Sequence, residues 1–315
     1  MAEPLPSTPP VDVRSTEVGS VGWSAVVVNY NAGRHLAPCV GSLLADDSAG
    51  AVEVVVVDNA STDDSLSTLA RFDVSIVHSG SNLGYAAAAN LGIAATRGPV
   101  VAVINPDTLL APGSAGAVFA RLAIEPDLGA VGPRISNPDG STYPSARRDP
   151  STVDAIGHAL LGAWIPRNPF TRRYRELDVD PHRARDVDWL SGAAIWFRRS
   201  ALDAVGGWDE RYFMFLEEVD LCRRLRLGGW RIAYEPSAEL VHEEGVSRAH
   251  HPYRMIVAHH RSAWRYARRW WSGPRRVLLP AVAVGLALRA AATMIARRLV
   301  GGLREGRRRR PQVGG

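Results

Sequence analysis

The chain has 315 residues, 46% hydrophobic and 22% charged, which excludes a largely disordered protein and allows one sizeable α/β domain with an extension. Every basic residue is Arg and the formal net charge is +5. The arginines crowd between Arg261 and the Arg307–Arg310 run while the acids lie upstream, an asymmetry suited to a partner carrying phosphate or anionic lipid.

Residues 1–20 are polar and Pro-rich and lack the basic start and apolar core of a signal peptide. They read as a disordered tail, and the protein as one that stays in the cytoplasm. Cys39 and Cys222 have neither metal-type spacing nor a pairing pattern, so both read as buried reduced thiols.

Four Val/Ile-rich runs follow, at Ser24–Val28, Val52–Val57, Val74–Val77 and Val100–Ile104. With few charges and no alternation, they suit strands buried on both faces of a parallel sheet. Helical patterns lie between or after them, at His35–Leu44, Asp63–Ala70, Tyr85–Ala95 and Pro112–Ile124. This rhythm predicts a doubly wound α/β sheet, whose ligand belongs beyond the carboxyl ends of the strands. Polar clusters stand at those ends: Asn29-Tyr30-Asn31, Asp58 to Asp63, Ser81 to Gly84, and Asn105-Pro106-Asp107. The stretch from Asp139 to Asp188 loosens into Pro, Arg and Asp and reads as an acceptor-facing insertion or a mobile loop. Beyond it the pattern predicts a strand over Trp189–Phe197, a helix over Glu217–Leu227, a strand over Arg231–Tyr234 and a polar turn reaching His242.

Asp107, at a buried strand end after Pro106, can hold a hard divalent cation that bridges to diphosphate oxygens. The alternative is a turn aspartate bonded to its own backbone. On the Glu217–Leu227 helix, Glu218 shares a face with Leu221, Cys222 and Leu225, where a raised pKa suits a general base, whereas Glu217 and Asp220 point elsewhere. The competing reading has these acids merely complementing the helix dipole. His242 is either a neutral metal ligand or a hydrogen-bonded histidine. The pairs His250-His251 and His259-His260 read as surface or interface residues. Gly84 lets the backbone approach a ligand near a helix start, without the spaced glycines of a dinucleotide fingerprint.

In order, Val26 to Asn31, Val57 to Asp63, Asn82-Leu83-Gly84-Tyr85 with Asn90, Asn105-Pro106-Asp107, Leu190 to Ala193, Gly206 to Glu210, Glu217 to Leu221 and His242 resemble the inverting family 2 glycosyltransferases. The resemblance runs from Ser24 to Glu244 and implies a GT-A fold, a Rossmann-like, mostly parallel doubly wound sheet, here carrying a helical C-terminal extension. Within the family the chain is most similar to rhamnosyltransferases of the actinobacterial cell-wall linker, which move L-rhamnose from dTDP-rhamnose to N-acetylglucosaminyl-diphosphoryl-polyprenol. The resemblance implies that Asp58 reads the base, with Asn29, Asn31, Asn82, Gly84 and Asn105 near the nucleotide. Asp107 and His242 would hold Mg²⁺ or Mn²⁺, and Gly192, Trp208 and Asp209 would lie near the sugar or acceptor. Glu218, or else Glu217, would be the base. Two departures stand out: Asn105 replaces the usual first Asp of the metal motif, and Glu217-Glu218 replaces a Glu-Asp pair.

These readings divide the chain into a tail (1–20), a GT-A domain (21–245), a helical membrane-associating extension (246–302) and a basic tail (303–315). Tyr253–Trp271 has an interfacial composition of Arg, His, Trp and Tyr. Val277–Leu288 falls short of a span, and extending it to Ala296 buries Arg289. An in-plane anchor at the cytoplasmic face of the membrane is therefore expected, against a span or a core-packing helix. The alternatives for function are a family 2 transferase using a UDP- or GDP-sugar, or a non-catalytic nucleotide-sugar-binding or scaffold protein. The arginines fit no nucleic-acid recognition module, so no nucleic-acid partner is expected.

Overall fold

The computed structural model describes residues 21–149, 153–154, 157, 161, 165–243 and 252–308, without side chains for 299–308. The expected N-terminal tail, His250-His251 and the end of the basic tail lie outside these residues.

The four Val/Ile runs form β1 (Trp23–Asn29), β2 (Val52–Asp58), β3 (Ser75–His78) and β4 (Val100–Ile104). They pair in parallel in the spatial order β3-β2-β1-β4. Alternate residues feed two separate cores. Ala25, Val27, Val54, Val56 and Ala102 enter one, and Val26, Val55, Val57, Val101 and Val103 the other. Burial on both faces is why the β1, β2 and β4 runs show no alternation in sequence, whereas β3, expected to be buried as well, is an edge strand and largely exposed. Helices α1 (Leu36–Ala45), α2 (Tyr85–Ala94) and α3 (Ser114–Ile124) cover the sheet. On α2, a Cβ at Gly92 would collide with Val26 and Val57, so the helix lies directly on β1 and β2. The segment expected to be helical from Asp63 forms only a 3-10 stretch over Ser65–Leu69. Asp63 instead accepts hydrogen bonds from the Gly33 amide (2.8 Å) and the Ser65 hydroxyl (2.6 Å), tying this loop to the end of β1.

The sheet continues through β5 (Thr108–Leu110) and β6 (Leu128–Ser136), with short strands β7 (Thr142–Tyr143), β8 (Ala146–Arg147) and β9 (Arg185–Asp186). The strand expected over Trp189–Phe197 is two. β10 (Trp189–Leu190) pairs with β8 in a separate small sheet, and β11 (Ala194–Arg198) enters the main sheet antiparallel between β4 and β6. The break falls at Ser191-Gly192-Ala193, which borders the main cavity. The last strand, β12 (Arg231–His242), runs well past Tyr234 through a register shift between Glu235 and Glu239. His242 therefore ends a strand, paired opposite Thr108 of β5, and is not on a free turn.

The region 139–188 carries β7, β8, β9 and helix α4 (Pro169–Arg175), capped by Asn168 accepting from the Thr171 amide at 3.0 Å. Helices α5 (Arg199–Val205) and α6 (Glu217–Leu227) follow β11. The extension forms α7 (Pro252–Trp270) and α8 (Leu279–Arg308). The Arg- and aromatic-rich face of α7 meets the domain: Trp270 Nε1 donates to Asp220 (2.8 Å), and Ser262 Oγ donates to the Met214 carbonyl (2.9 Å). Helix α8 continues through Arg289, because the alanines and Ile295 that follow sustain it. Gly273–Arg298 is, among the described residues, the one helical stretch long and apolar enough to cross a membrane, with mean hydropathy 1.9. Val277, Leu288 and Ile295 on it are exposed.

Candidate active site

A cavity of about 510 Å³ opens at the carboxyl ends of β1 and β4, where the sheet topology places ligands. One edge of it is the polar lattice at the ends of β1 and β2. Asn29 is fully buried and donates to Ser61 (3.0 Å) and Ser65 (2.9 Å), so it braces the lattice from behind. Asn31, at φ 51°, accepts from the Thr62 amide at 2.7 Å. Asp58 accepts from the Ser61 amide (3.2 Å) and faces His78 Nδ1 at 3.4 Å. Asn29, Asn31 and Asp58 flank the cavity without lining it, whereas Asn59, Asn82 and Gly84 do line it. Asn59 was singled out by no sequence argument, although it sits in the Asp58 motif. It accepts from the Leu83 amide (2.9 Å) and donates to the Gly84 carbonyl (3.3 Å). Gly84 is at φ 86°, and a Cβ there would collide with the Phe213 carbonyl. That carbonyl accepts the Tyr85 amide at 2.7 Å, so only glycine permits the approach.

Asn105, Pro106 and Asp107 line the cavity floor. Asp107 does not fold back on its own backbone. Its Oδ1 lies 3.1 Å from His242 Nε2, with both side chains buried. Among the described residues His242 Nδ1 is buried without a partner, and Tyr143 meets the imidazole edge-on at 6.4 Å. A carboxylate oxygen and an imidazole nitrogen facing one cavity are donors suited to a divalent cation. Among the described residues no third His, Cys, Asp or Glu joins them, so such a cation would take its other ligands from diphosphate oxygens and water.

Two carboxyl groups enter from the start of α6. Phe215 (φ 71°) and Leu216 (φ 63°) are both left-handed, and this strained pair turns the chain so that Glu217 and Glu218 line the cavity. The strain is held from outside by α7, through Ser262 on Met214 and His259 against Phe215 at 5.4 Å. The expectation that Glu217 and Asp220 point away from the interior is corrected: both are buried. A second packed face exists because α7 covers it. Asp220 is fully buried and is held by Arg224 (2.8 Å), Trp270 (2.8 Å) and Arg269 (3.3 Å).

Burial raises the pKa of both glutamates. For Glu217 the Glu218 charge adds to that, and its carboxyl lies well above the usual range. For Glu218, backbone amides at the helix start and the Arg147 guanidinium pull the other way. Both carboxyls are thus lifted, Glu217 the more strongly because it also feels the Glu218 charge. Gly192 lies beside the pair: a Cβ there would meet Glu218 at an ordinary 3.7 Å. The Tyr85 hydroxyl donates to the Gly192 carbonyl at 3.0 Å.

Trp208 and Asp209, expected near sugar or acceptor, do not line the cavity. Trp208 is buried edge-on to Tyr85 (5.7 Å) and Phe197 (5.9 Å), and Asn90 grips its backbone N–H and C=O at 2.9 Å each. Asp209 binds Arg211 (2.7 Å) and Arg269, and the Arg211 hydrogen bonds pull its pKa down to about 2. These two residues brace the wall behind Tyr85. Lining residues that the sequence did not offer are Tyr143, Arg147, Tyr174 and Arg175 from the 139–188 region, and Arg254 and Met255 from α7. His259, expected at a surface, also borders the cavity.

The sequence model described as Glycosyl transferase family 2 matches residues 24–206. The chain belongs to glycosyl transferase family 2. It is 41% identical over 269 residues to the N-acetylglucosaminyl-diphospho-decaprenol L-rhamnosyltransferase of Mycobacterium tuberculosis, covering 80% of this chain and 87% of that protein. Among solved structures, the fold is similar to mannosyltransferase PcManGT from Pyrobaculum calidifontis, in complex with GDP-Man and Mn²⁺. The TM-score is 0.54 at 19% identity, over 93% of this chain and 83% of that one. It is also similar to S. aureus TarS 1-349, with a TM-score of 0.52 at 15% identity, over 85% and 71% of the two chains. The architecture is therefore the GT-A glycosyltransferase fold, and the protein is a glycosyltransferase.

Proposed function

We propose that this glycosyltransferase moves L-rhamnose from dTDP-rhamnose to N-acetylglucosaminyl-diphosphoryl-polyprenol, with inversion at the anomeric carbon. The observation that carries the reading is the 41% identity, across most of both chains, to a rhamnosyltransferase of that acceptor. The cavity supports it by holding the Glu217–Glu218 pair and the Asp107–His242 pair together.

The reaction is a single displacement. Glu218, whose charged form the Arg147 guanidinium and the helix-start amides favour, takes the proton of the acceptor hydroxyl as that oxygen attacks the anomeric carbon. The bond from anomeric carbon to phosphate oxygen breaks on the opposite face, and its electron pair leaves with dTDP. Burial and the Glu218 charge favour the neutral form of Glu217, which limits negative charge beside the attacking oxygen. Asn31, Asp58 and Asn59 orient the nucleoside, and the open backbone at Gly192 leaves room for sugar. Asp107 and His242 would hold Mg²⁺ or Mn²⁺, which when bound supplies positive charge to the leaving diphosphate. The exposed apolar surface of α8 attaches the protein to the cytoplasmic face of the membrane, where the polyprenyl acceptor resides.

The test is to incubate the purified chain with the polyprenyl-diphosphate acceptor, a divalent cation and a panel of dTDP-, UDP- and GDP-sugars. A disaccharide lipid formed from dTDP-rhamnose is expected. Product from a UDP- or GDP-sugar instead would replace this donor, and binding without turnover of any donor would remove the catalytic reading.

A further inference from the structure

Three arginines line the cavity: Arg147, Arg175 and Arg254. They differ in how their charge is used. Arg147 is buried among Tyr143, Tyr174 and Trp189, its guanidinium 4.8 Å from the Trp189 ring centre. It donates to the Tyr143 hydroxyl (2.9 Å) and the Pro144 carbonyl (2.8 Å), so much of its donor capacity is taken up in the wall. Arg175, the last residue of α4, is different. Its helix neighbours Arg172 and Arg173 are paired with Asp178 (2.8 Å) and Asp154 (2.7 Å). Arg175 has no carboxylate partner among the described residues, and its buried Nε lacks any hydrogen bond. Arg254, in the first turn of α7, is exposed and likewise forms no ion pair among the described residues.

We propose that Arg175 and Arg254 form a subsite for a prenyl-linked diphosphate, separate from the place of the donor diphosphate at Asp107 and His242. That this diphosphate is the acceptor's rests on the proposed reaction. The proposed chemistry brings two diphosphates to one cavity that already holds Glu217, Glu218 and Asp107. A cation at Asp107 and His242 offsets only the donor's. The acceptor's diphosphate diester is a dianion, and two guanidinium groups lining the same cavity match its charge, a guanidinium being a group that pairs with phosphate in bidentate fashion. The lipid follows from where Arg254 sits. Helix α7, which carries Arg254, packs on α8, whose Val284, Leu288 and Ile295 are exposed, so the same extension offers apolar surface to a prenyl chain. The two arginines come from α4 and α7, elements outside the strand-end motifs that serve the nucleotide.

The experiment measures calorimetric binding of farnesyl diphosphate, farnesol and dTDP to the full chain in detergent. Wild type is compared with Arg175→Gln, Arg254→Gln and the charge-retaining Arg175→Lys and Arg254→Lys. Wild type should bind farnesyl diphosphate and not farnesol. Each Gln variant should lose about tenfold or more in that affinity, with partial recovery in the Lys variants and unchanged dTDP binding. Unchanged farnesyl diphosphate affinity in the Gln variants would overturn the subsite, as would equal affinity for farnesol. A parallel fall in dTDP affinity would overturn it too, by placing the arginines at the donor. If the expected binding pattern holds while dTDP-rhamnose is never turned over, the subsite stands and the proposed reaction fails.

Discussion

Asp107 Oδ1 and His242 Nε2 stand 3.1 Å apart although 135 residues separate them in the chain. The contact exists because β12 shifts register and runs on to pair with β5, setting His242 opposite Thr108. The Glu243 amide then donates to the Asp107 carbonyl at 3.0 Å and fixes the two backbones together. Two distant strand ends thereby become one carboxylate–imidazole pair facing the cavity, the proposed ligands of the cation.

That arrangement predicts the metal dependence. Chelation should abolish transfer, and Mg²⁺ or Mn²⁺ should restore it. Asp107→Asn or His242→Ala should raise the cation concentration for half-maximal rate by at least about tenfold. A cation titration of initial rate reads this directly, and an unchanged requirement in both variants would remove the pair as ligands.

Glu217 predicts a pH-dependent stability difference. Burial, then the Glu218 charge, raises its folded pKa well above the ordinary 4.5. A raised folded value stabilises the fold fully below the ordinary pKa, and that contribution is lost as pH rises through the folded value. Glu217→Gln fixes the neutral form. Its melting temperature relative to wild type should therefore be flat in acid and climb as pH increases toward neutral and beyond. Parallel melting curves of the two proteins across pH would contradict the assignment.

Two glycines on the cavity wall separate fold from function. Gly84→Ala must place a methyl at φ 86° against Phe213 and should cost roughly 1–3 kcal/mol of stability, read by chemical denaturation. Gly192→Ala meets only ordinary contacts at 3.7 Å from Glu218, so it should fold like wild type. Its added methyl beside Glu218 should still reduce turnover. Equal destabilisation of the two would refute the distinction.

The extension predicts a separable anchor. Deleting 277–315 removes the exposed apolar helix but leaves α7, with Ser262 and Trp270, packed on Met214 and α6. The truncated protein should leave the membrane fraction on cell fractionation while still binding donor. Full retention at the membrane would show that attachment lies elsewhere.

Much of this site is legible before any coordinates. The Val/Ile runs of β1, β2 and β4 read as strands because both faces of the sheet are buried there, and the strand-end rule then points to Asp107. The resemblance to known transferases adds Asp58, His242 and the glutamate pair. The 139–188 wall is not legible, since two-residue strands such as Thr142–Tyr143 and Ala146–Arg147 carry no periodicity. Nor is the burial of Glu217 and Asp220. Reasoning from one buried helix face fails where α7 supplies a second, and the same docking turns the interfacial-looking Arg269 and Trp270 into partners of Asp220. Trp208 reads as a sugar contact from its motif, yet tertiary packing places it behind Tyr85.

The central claim is that Glu218 is the base of a single displacement, and one comparison tests it most directly. Single-turnover transfer from dTDP-rhamnose to the polyprenyl-diphosphate acceptor is measured for wild type and Glu218→Gln, alongside donor affinity. The account predicts a rate loss of ~10²–10⁴-fold with donor affinity preserved. Near-wild-type turnover in Glu218→Gln would contradict it.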